Sequence, residues 1–336
     1  MWIGGDIRVA ATLADVHRTG PSPREPDLTE IVVSKPFWRR PSAGALAVLG
    51  VAVCALIWGT TWFAITFQLG HVDPIASIVW RFGLASLILF AVCLATKRSL
   101  RLTRTQHLAA AGQGMFAFAL SYTFVYTAEG LITSGVVAVA FASMALMNLI
   151  LFRVVQKQTA HRAVWIGASL GALGVAVLSG GELLGSRLGP QAGLGVGLAV
   201  AAAAVSTIAN WFAWRGQQAG SQVIPATAWA MGYGAALVAV FGLVTGVQFS
   251  IALTPAYLGS LLYLSVFGSV IAFVIYFSVA RSRGYTLASY IGALTPPIAL
   301  TVSVLFEGAR FGWTALVGVG LVIAGQVLLA RAPKAS

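Results

Sequence analysis

From residue 45 onward, the chain consists of apolar segments separated by short polar breaks. Each segment has about the 20 residues that a helix needs to cross the hydrocarbon of a bilayer, at a rise of about 1.5 Å per residue. Lipid offers the backbone no hydrogen-bond partner, and no segment shows the polar–apolar alternation of a barrel strand. We therefore predict an all-α integral membrane protein with ten transmembrane helices, at 45–67, 74–96, 108–127, 131–152, 163–180, 192–214, 224–246, 256–279, 286–306 and 312–330.

The charge content agrees with a lipid environment. Charged residues make up 9% of the 336 residues, whereas a soluble domain carries about 25%. Residues 1–43 are the exception, because they hold more than half of the carboxylates and a Pro-rich run, TGPSPREPD. This composition predicts a flexible cytoplasmic tail. The alternatives are that the tail has no function or that the natural start codon lies downstream of it.

The basic residues are distributed asymmetrically between the polar breaks. Arg187 and Arg310 fall on the side opposite the N-terminus, Arg81 lies inside a segment, and all other Lys and Arg residues fall on the N-terminal side. Cytoplasmic segments of membrane proteins carry an excess of Lys and Arg, so both termini are predicted to be cytoplasmic. The same pattern accounts for the net charge of +12, and we expect no nucleic-acid partner.

Two stretches of the chain begin with the same motif, Trp-Phe-Ala, and have a second Trp 18 residues after the first. Residues 62–80 read WFAITFQLGHVDPIASIVW, and residues 211–229 read WFAWRGQQAGSQVIPATAW. We infer two repeats of five helices each, at 44–181 and 192–331. Because five is odd, the second repeat enters the membrane from the opposite side, as in the inverted repeats of secondary transporters. Glycines recur at nearly the same step: Gly167 and Gly174, then Gly318 and Gly325.

Several motifs resemble the EamA-type permeases of the drug/metabolite transporter superfamily. Trp58-Gly59-Thr60 is similar to that family's first helix, and Arg81-Phe82 is similar to the start of its second helix. TSGVVAVAFASMALMNLILF resembles its fourth helix, and ASYIGALTPPIALTVSVLFEG its ninth. The resemblance implies two EamA repeats, a multi-pass protein of the bacterial inner membrane, and transport of small metabolites, often amino acids. The Gly-Glu pair that often follows those two helices is absent here.

Arg81 is the one charged residue deep within a predicted segment, about 10 Å below its outer end at about 1.5 Å per residue. An Arg at the centre of a membrane helix costs about 2.5–3.5 kcal/mol, so such a residue usually has a function. It could anchor the carboxylate of a substrate. It could equally form a structural ion pair with Glu129, which lies at the same outer face.

Other polar and aromatic side chains could line a substrate cavity, although most such residues in membrane proteins join helices, fill the core or form interfacial belts. The candidates are Trp58, Trp62, Gln113, Tyr122, Asn148, Asn210, Tyr276 and Tyr290.

Pro296 and Pro297 lie near the middle of the ninth segment, close to Gly292. Each proline removes a backbone donor and frees a carbonyl four residues earlier. A helix that breaks at mid-membrane beside a cavity is common in transporters and would make these residues part of a gate. The alternative is a kink that Thr295 or Ser289 satisfies internally.

The sequence favours a secondary transporter that works by alternating access and exports amino acids or related compounds. No Asp or Glu lies deep in a segment, which also allows a facilitator, an exchanger, or coupling through Glu129 or His71 at the outer mouth. A passive channel is a further alternative. An intramembrane enzyme is disfavoured, because the segments lack a Ser-His pair, an Asp pair or a metal set. We expect a small-molecule substrate and the lipid bilayer as partners, no cofactor, no metal, and a monomer or homodimer.

Overall fold

A computed structural model of the protein describes residues 43–184, 191–283, 288, 290–310 and 312–331. The predicted tail at 1–43 therefore lies outside the described residues, except for Ala43, where the first helix begins. Seven helices are continuous: α1 (Ala43–Thr66), α2 (Pro74–Ala95), α5 (Arg162–Leu184), α6 (Ala192–Gln218), α7 (Val223–Thr245), α9 (Tyr290–Phe306) and α10 (Trp313–Arg331). Two helices contain a π-helical segment: α3 consists of Arg104–Gln113, the π-helical Gly114–Ser121 and Tyr122–Glu129, and α8 consists of Pro255–Tyr263, the π-helical Leu264–Ile271 and Ala272–Arg283. Helix α4 consists of Ser134–Ala140, a 3₁₀ turn Phe141–Ser143 and Met144–Gln156.

Each predicted apolar segment coincides with one of these helices, and no strand occurs in the described part of the chain. The all-helical class is thus confirmed. Helices α1, α2, α3, α4, α6, α7 and α8 are long and apolar enough to cross a membrane. The described apolar stretches of α5, α9 and α10 are shorter, at Arg162–Leu178, Leu294–Phe306 and Trp313–Leu329. Ten membrane crossings therefore remain a prediction.

The polar breaks contain the residues that start new helices. The Asp73 carboxylate accepts a hydrogen bond from the backbone N–H of Ile75 at 2.8 Å, and Pro74 occupies the first position of α2, where no backbone donor is needed. Thr103 and Gln106 form a reciprocal capping box at the start of α3. These local interactions help to set where α2 and α3 begin, independently of the lipid.

Helices α2 and α7 pack against each other in opposite directions. The Ser86 hydroxyl donates to the Ala228 carbonyl oxygen at 2.8 Å. At the other end of the contact, a Cβ at Gly242 would lie 3.1 Å from the Ile75 side chain. Residue numbers rise along one helix as they fall along the other, so the two helices are antiparallel.

Helices α5 and α10 approach each other so closely that only glycine fits at four positions. A Cβ at Gly167 would lie 2.5 Å from the Gly325 carbonyl oxygen, and one at Gly174 would lie 2.4 Å from that of Gly318. At the reciprocal positions, a Cβ at Gly325 would lie 2.4 Å from the Gly167 carbonyl oxygen, and one at Gly318 would lie 2.7 Å from that of Gly174. In lipid, no hydrophobic effect drives apolar side chains of two helices together, because the lipid tails are equally apolar. Small residues that allow close contact between the two backbones are therefore a common way to join helices. This pair is antiparallel as well.

The two π-helical segments occupy matching places, one in the third helix of each predicted repeat. The segment of α3 packs against α7, and that of α8 packs against α2. Gly114 opens the first segment, and a Cβ there would lie 2.4 Å from the Ala230 carbonyl oxygen of α7. Short π-helical segments within α-helices occur frequently at functional sites. The charged residue Arg81 of α2 contacts Ser269, inside the π-helical segment of α8, and Tyr122, the residue that follows the π-helical segment of α3.

Candidate functional site

Arg81 is buried among α2, α3 and α8, with 1% of its surface exposed. Its Nε donates to Ser269 Oγ at 3.1 Å, and its Nη2 donates to the Tyr122 hydroxyl at 3.4 Å. The guanidinium carbon lies 4.6 Å from the centre of the Tyr122 ring, an arrangement in which the ring attracts the cation. These hydrogen bonds and the ring contact join the positive charge to neutral groups.

One guanidinium nitrogen of Arg81 is left without a bond. Nη1 is buried and makes no direct hydrogen bond to a residue that the structure describes, although the Tyr126 hydroxyl of α3 lies close enough to interact with the guanidinium. A buried polar group without a partner is unfavourable by about 1–3 kcal/mol, and by more when it is charged. Such a group in a folded protein requires an explanation, and a site for an acceptor brought by a ligand is a physical one.

Glu129 is the last residue of α3 and is also buried, with 7% of its surface exposed. Neither of its carboxylate oxygens has a hydrogen-bond partner in the described part of the chain. Arg81 and Glu129 are close enough to interact electrostatically. They are not hydrogen-bonded to each other, so the structure offers no bonded Arg81–Glu129 pair that would neutralise both charges.

Ser269 and Gly268 also lie against Arg81, and the sequence analysis missed both. The Ser269 hydroxyl donates to the Leu264 carbonyl oxygen at 2.9 Å within the π-helical segment, which orients its oxygen as an acceptor for Arg81. Trp58 Nε1 donates to the Gly268 carbonyl oxygen at 3.2 Å. A Cβ at Gly268 would lie 3.3 Å from Arg81 Nη2. A Gly-Ser pair inside an apolar segment is the one sequence signal that could have found them.

Four of the predicted site residues form two pairs, one through an aromatic ring contact and one through an amide hydrogen bond. The ring of Trp58 lies 5.4 Å from that of Tyr276, which joins α1 to α8. Asn210 Nδ2 donates to Asn148 Oδ1 at 3.4 Å, which joins α6 to α4. Tyr276 also interacts with Asn210. Through Gly268, which accepts from Trp58 and lies against Arg81, this polar chain extends from the guanidinium toward the amides.

The remaining predicted site residues are not gathered around Arg81. The Trp62 ring packs 4.9 Å from that of Phe141 in α4, and its Nε1 has no partner among the described residues. Gln113 is buried and lines a cavity between α3, α6 and α7 to which Arg81 does not contribute. Tyr290 begins α9, but its side chain lies outside the described part of the structure.

Helix α9 continues through the proline pair without a break. The Thr295 hydroxyl donates to the Ile291 carbonyl oxygen at 2.7 Å. The backbone carbonyls that lose their helical hydrogen-bond donor because of Pro296 and Pro297 are those of Gly292 and Ala293. This Thr295 bond therefore does not satisfy them, and a role for the pair in gating stays a prediction.

A charged residue buried among helices that are apolar enough to cross a membrane indicates a functional site. The comparisons agree: the chain belongs to the EamA-like transporter family, whose model matches residues 45–180 and again residues 193–331. This membership indicates a membrane transporter.

Two relatives match most of the chain. The uncharacterized inner membrane transporter YedA of Escherichia coli strain K12 is 28% identical over 303 residues, covering 86% of this chain and 90% of YedA. Protein PecM of Dickeya dadantii strain 3937 is 25% identical over 281 residues, covering 81% of this chain and 88% of PecM. A solved crystal structure with 20% identity covers 85% of this chain and 97% of its own, with a TM-score of 0.64, and supports the fold alone.

Proposed function

We propose that the protein is an inner-membrane secondary transporter that exports amino acids or related small metabolites by alternating access. The observation that carries this proposal is the buried Arg81, whose Nη1 has no partner among the described residues. A substrate carboxylate would supply the missing hydrogen-bond acceptor for Nη1. Hydrogen bonds from Arg to a carboxylate are among the strongest that proteins make.

Alternating access by inverted repeats needs two halves of opposite orientation. The family matches the chain twice, over 45–180 and over 193–331. The pairs α2–α7 and α5–α10, each made of corresponding helices, are antiparallel. The third helix of each half carries a π-helical segment of equal length. These features support two inverted five-helix repeats, with both termini in the cytoplasm as the distribution of Lys and Arg predicts.

Counterflow in proteoliposomes tests this function. Vesicles containing the purified full chain are loaded with one unlabelled amino acid, and uptake of the same labelled amino acid is followed for each of the common amino acids. A carrier is expected to give saturable uptake that internal substrate accelerates. Flux that rises linearly with concentration and ignores internal substrate would instead indicate a passive channel. Absence of uptake for every amino acid would contradict the proposed substrate class.

The proline pair of α9 gives a second prediction. Replacing Pro296 and Pro297 together by Ala restores two backbone donors and favours a straight helix by up to about 3 kcal/mol for each residue. We expect counterflow per folded molecule to slow several-fold, while the yield of folded protein is maintained. Pro255→Ala is the matched control, because Pro255 occupies the first turn of α8, where proline breaks no helical bond. Turnover at the wild-type rate in the double variant would exclude a gating role.

A further inference from the structure

The site contains a buried carboxyl group as well as a buried guanidinium. Arg81 Nη1 and both oxygens of Glu129 are buried without hydrogen-bond partners among the described residues. The two groups interact electrostatically without being bonded to each other. A molecule that satisfies only Arg81 would leave the Glu129 carboxylate unbonded. The open acceptors of Glu129 therefore call for a separate donor.

The surroundings of Glu129 favour a cation as that donor. Glu129 is the last residue of α3, and the C-terminal end of a helix carries partial negative charge that disfavours a carboxylate. Glu307, from the end of α9, adds a second carboxylate whose field reaches Glu129. That second carboxylate is already bonded, because Glu307 Oε2 accepts a hydrogen bond from the Ser134 hydroxyl at 2.9 Å. The positive charge of Arg81 reaches Glu129, but the hydrogen bonds of the guanidinium go to Ser269 and Tyr122, with Tyr126 close by.

We propose that Glu129 binds the ammonium group of a zwitterionic substrate whose carboxylate is bound by Arg81. The inference rests on the proposed function and adds to it a residue that determines specificity. A zwitterion supplies an acceptor for Nη1 and a donor for the Glu129 oxygens at the same time. A simple carboxylate or a simple amine supplies only one of the two. The site therefore selects compounds that carry both charges.

Matched ligands that differ by one charged group provide the test. Phenylalanine is compared with 3-phenylpropanoate, which lacks the amine, and with 2-phenylethylamine, which lacks the carboxylate. Leucine, 4-methylpentanoate and 3-methylbutylamine form a second set of smaller size. Binding to the purified full chain is measured by thermal stabilisation over a range of ligand concentrations. For at least one set, we expect the wild-type protein to bind the amino acid roughly tenfold to a hundredfold more tightly than either partial analogue.

Three variants then assign the preference. Glu129→Gln is expected to bind the amino acid and its deaminated analogue within about threefold of each other. Glu307→Gln, which removes a carboxylate already bonded to Ser134, is the control and is expected to keep most of the preference. Arg81→Gln is expected to lose both the amino acid and the carboxylate.

Several results would overturn the inference. The first is a wild-type protein that binds the deaminated analogues as tightly as the amino acids, and this result does not depend on any variant folding correctly. The second is a preference that survives in Glu129→Gln, or that falls further in Glu307→Gln. If carboxylates still bind in an Arg81-dependent manner, the anion anchor stands and only the role of Glu129 fails. If no compound binds, or if Arg81→Gln binds all of them as the wild type does, the proposed anchor fails as well.

Discussion

Replacing Arg81 by Gln is expected to weaken substrate binding by a factor of about 30 to several thousand. Truncating one partner of a buried, hydrogen-bonded charge pair costs about 2–5 kcal/mol, and much of that loss is the desolvated carboxylate left without its cation. Gln cannot supply the charge, and it is too short to reach both Ser269 and Tyr122. Arg81→Lys keeps the charge but loses the forked donors, so an intermediate affinity is expected. The dissociation constant of each purified variant for a transported amino acid provides the measurement.

The control for this prediction is Arg98→Gln, which removes an exposed Arg from the connection between α2 and α3. It changes the net charge by the same amount and is expected to leave the dissociation constant within about twofold, because exposed charges contribute little. Elution as a single species in detergent shows whether each variant is folded. A folded Arg81→Gln protein with wild-type affinity would exclude Arg81 as the anchor.

Replacing Gly318 by a larger residue is expected to disrupt the contact between α5 and α10. A Cβ at Gly318 would lie 2.7 Å from the Gly174 carbonyl oxygen and 2.8 Å from the Leu178 Cβ. Neither is the movable end of a side chain, so relief requires the helices to separate. Adding atoms to a close-packed contact costs about 1–3 kcal/mol and occasionally more. We expect Gly318→Ala to lower the melting temperature in detergent clearly, and Gly318→Leu to leave little folded protein.

Gly320 offers a matched control one half-turn away on the same helix. It is exposed, and a Cβ there would meet nothing within 4 Å. Gly320→Ala and Gly320→Leu make the same chemical changes with the same effect on helix propensity, but they point away from α5. Both are expected to stay close to wild-type stability, within about 0.5 kcal/mol for the Ala variant. Equal losses at Gly318 and Gly320 would mean that the α5–α10 contact contributes nothing special.

The helices could be predicted from the sequence with only small errors at their ends. The reason is that a bilayer imposes one length and one backbone pattern on every crossing segment, so a local count of apolar residues is sufficient. The repeated glycines show how far this reasoning extends. Gly167 and Gly174 in the first half recur as Gly318 and Gly325 in the second half of the sequence. In the structure, Gly167 packs against Gly325 and Gly174 packs against Gly318.

The candidate site could be predicted only in part. Arg81 stands out because a charge inside an apolar segment is rare, and Tyr122 is indeed its neighbour. Ser269 carries no comparable signal, since a serine is common in membrane helices. Gln113 and Trp62 were chosen for their polarity or aromatic character, but the structure does not group them with Arg81. Composition within a helix gives neither the rotation of that helix nor its depth relative to its neighbours.

The sequence by itself determined the helical class, the approximate helix boundaries and one buried charge, because each follows from the transfer of a local segment into lipid. Only the tertiary structure decided that Ser269 bonds Arg81 across 188 positions of the chain, and that Glu129 makes no hydrogen bond to a described residue. Those facts depend on how helices with apolar surfaces on all sides rotate and slide against one another. The relative rotation and position of the helices depend on close packing between particular residue pairs, such as the glycines of α5 and α10. The hydropathy of a helix does not specify these pairs.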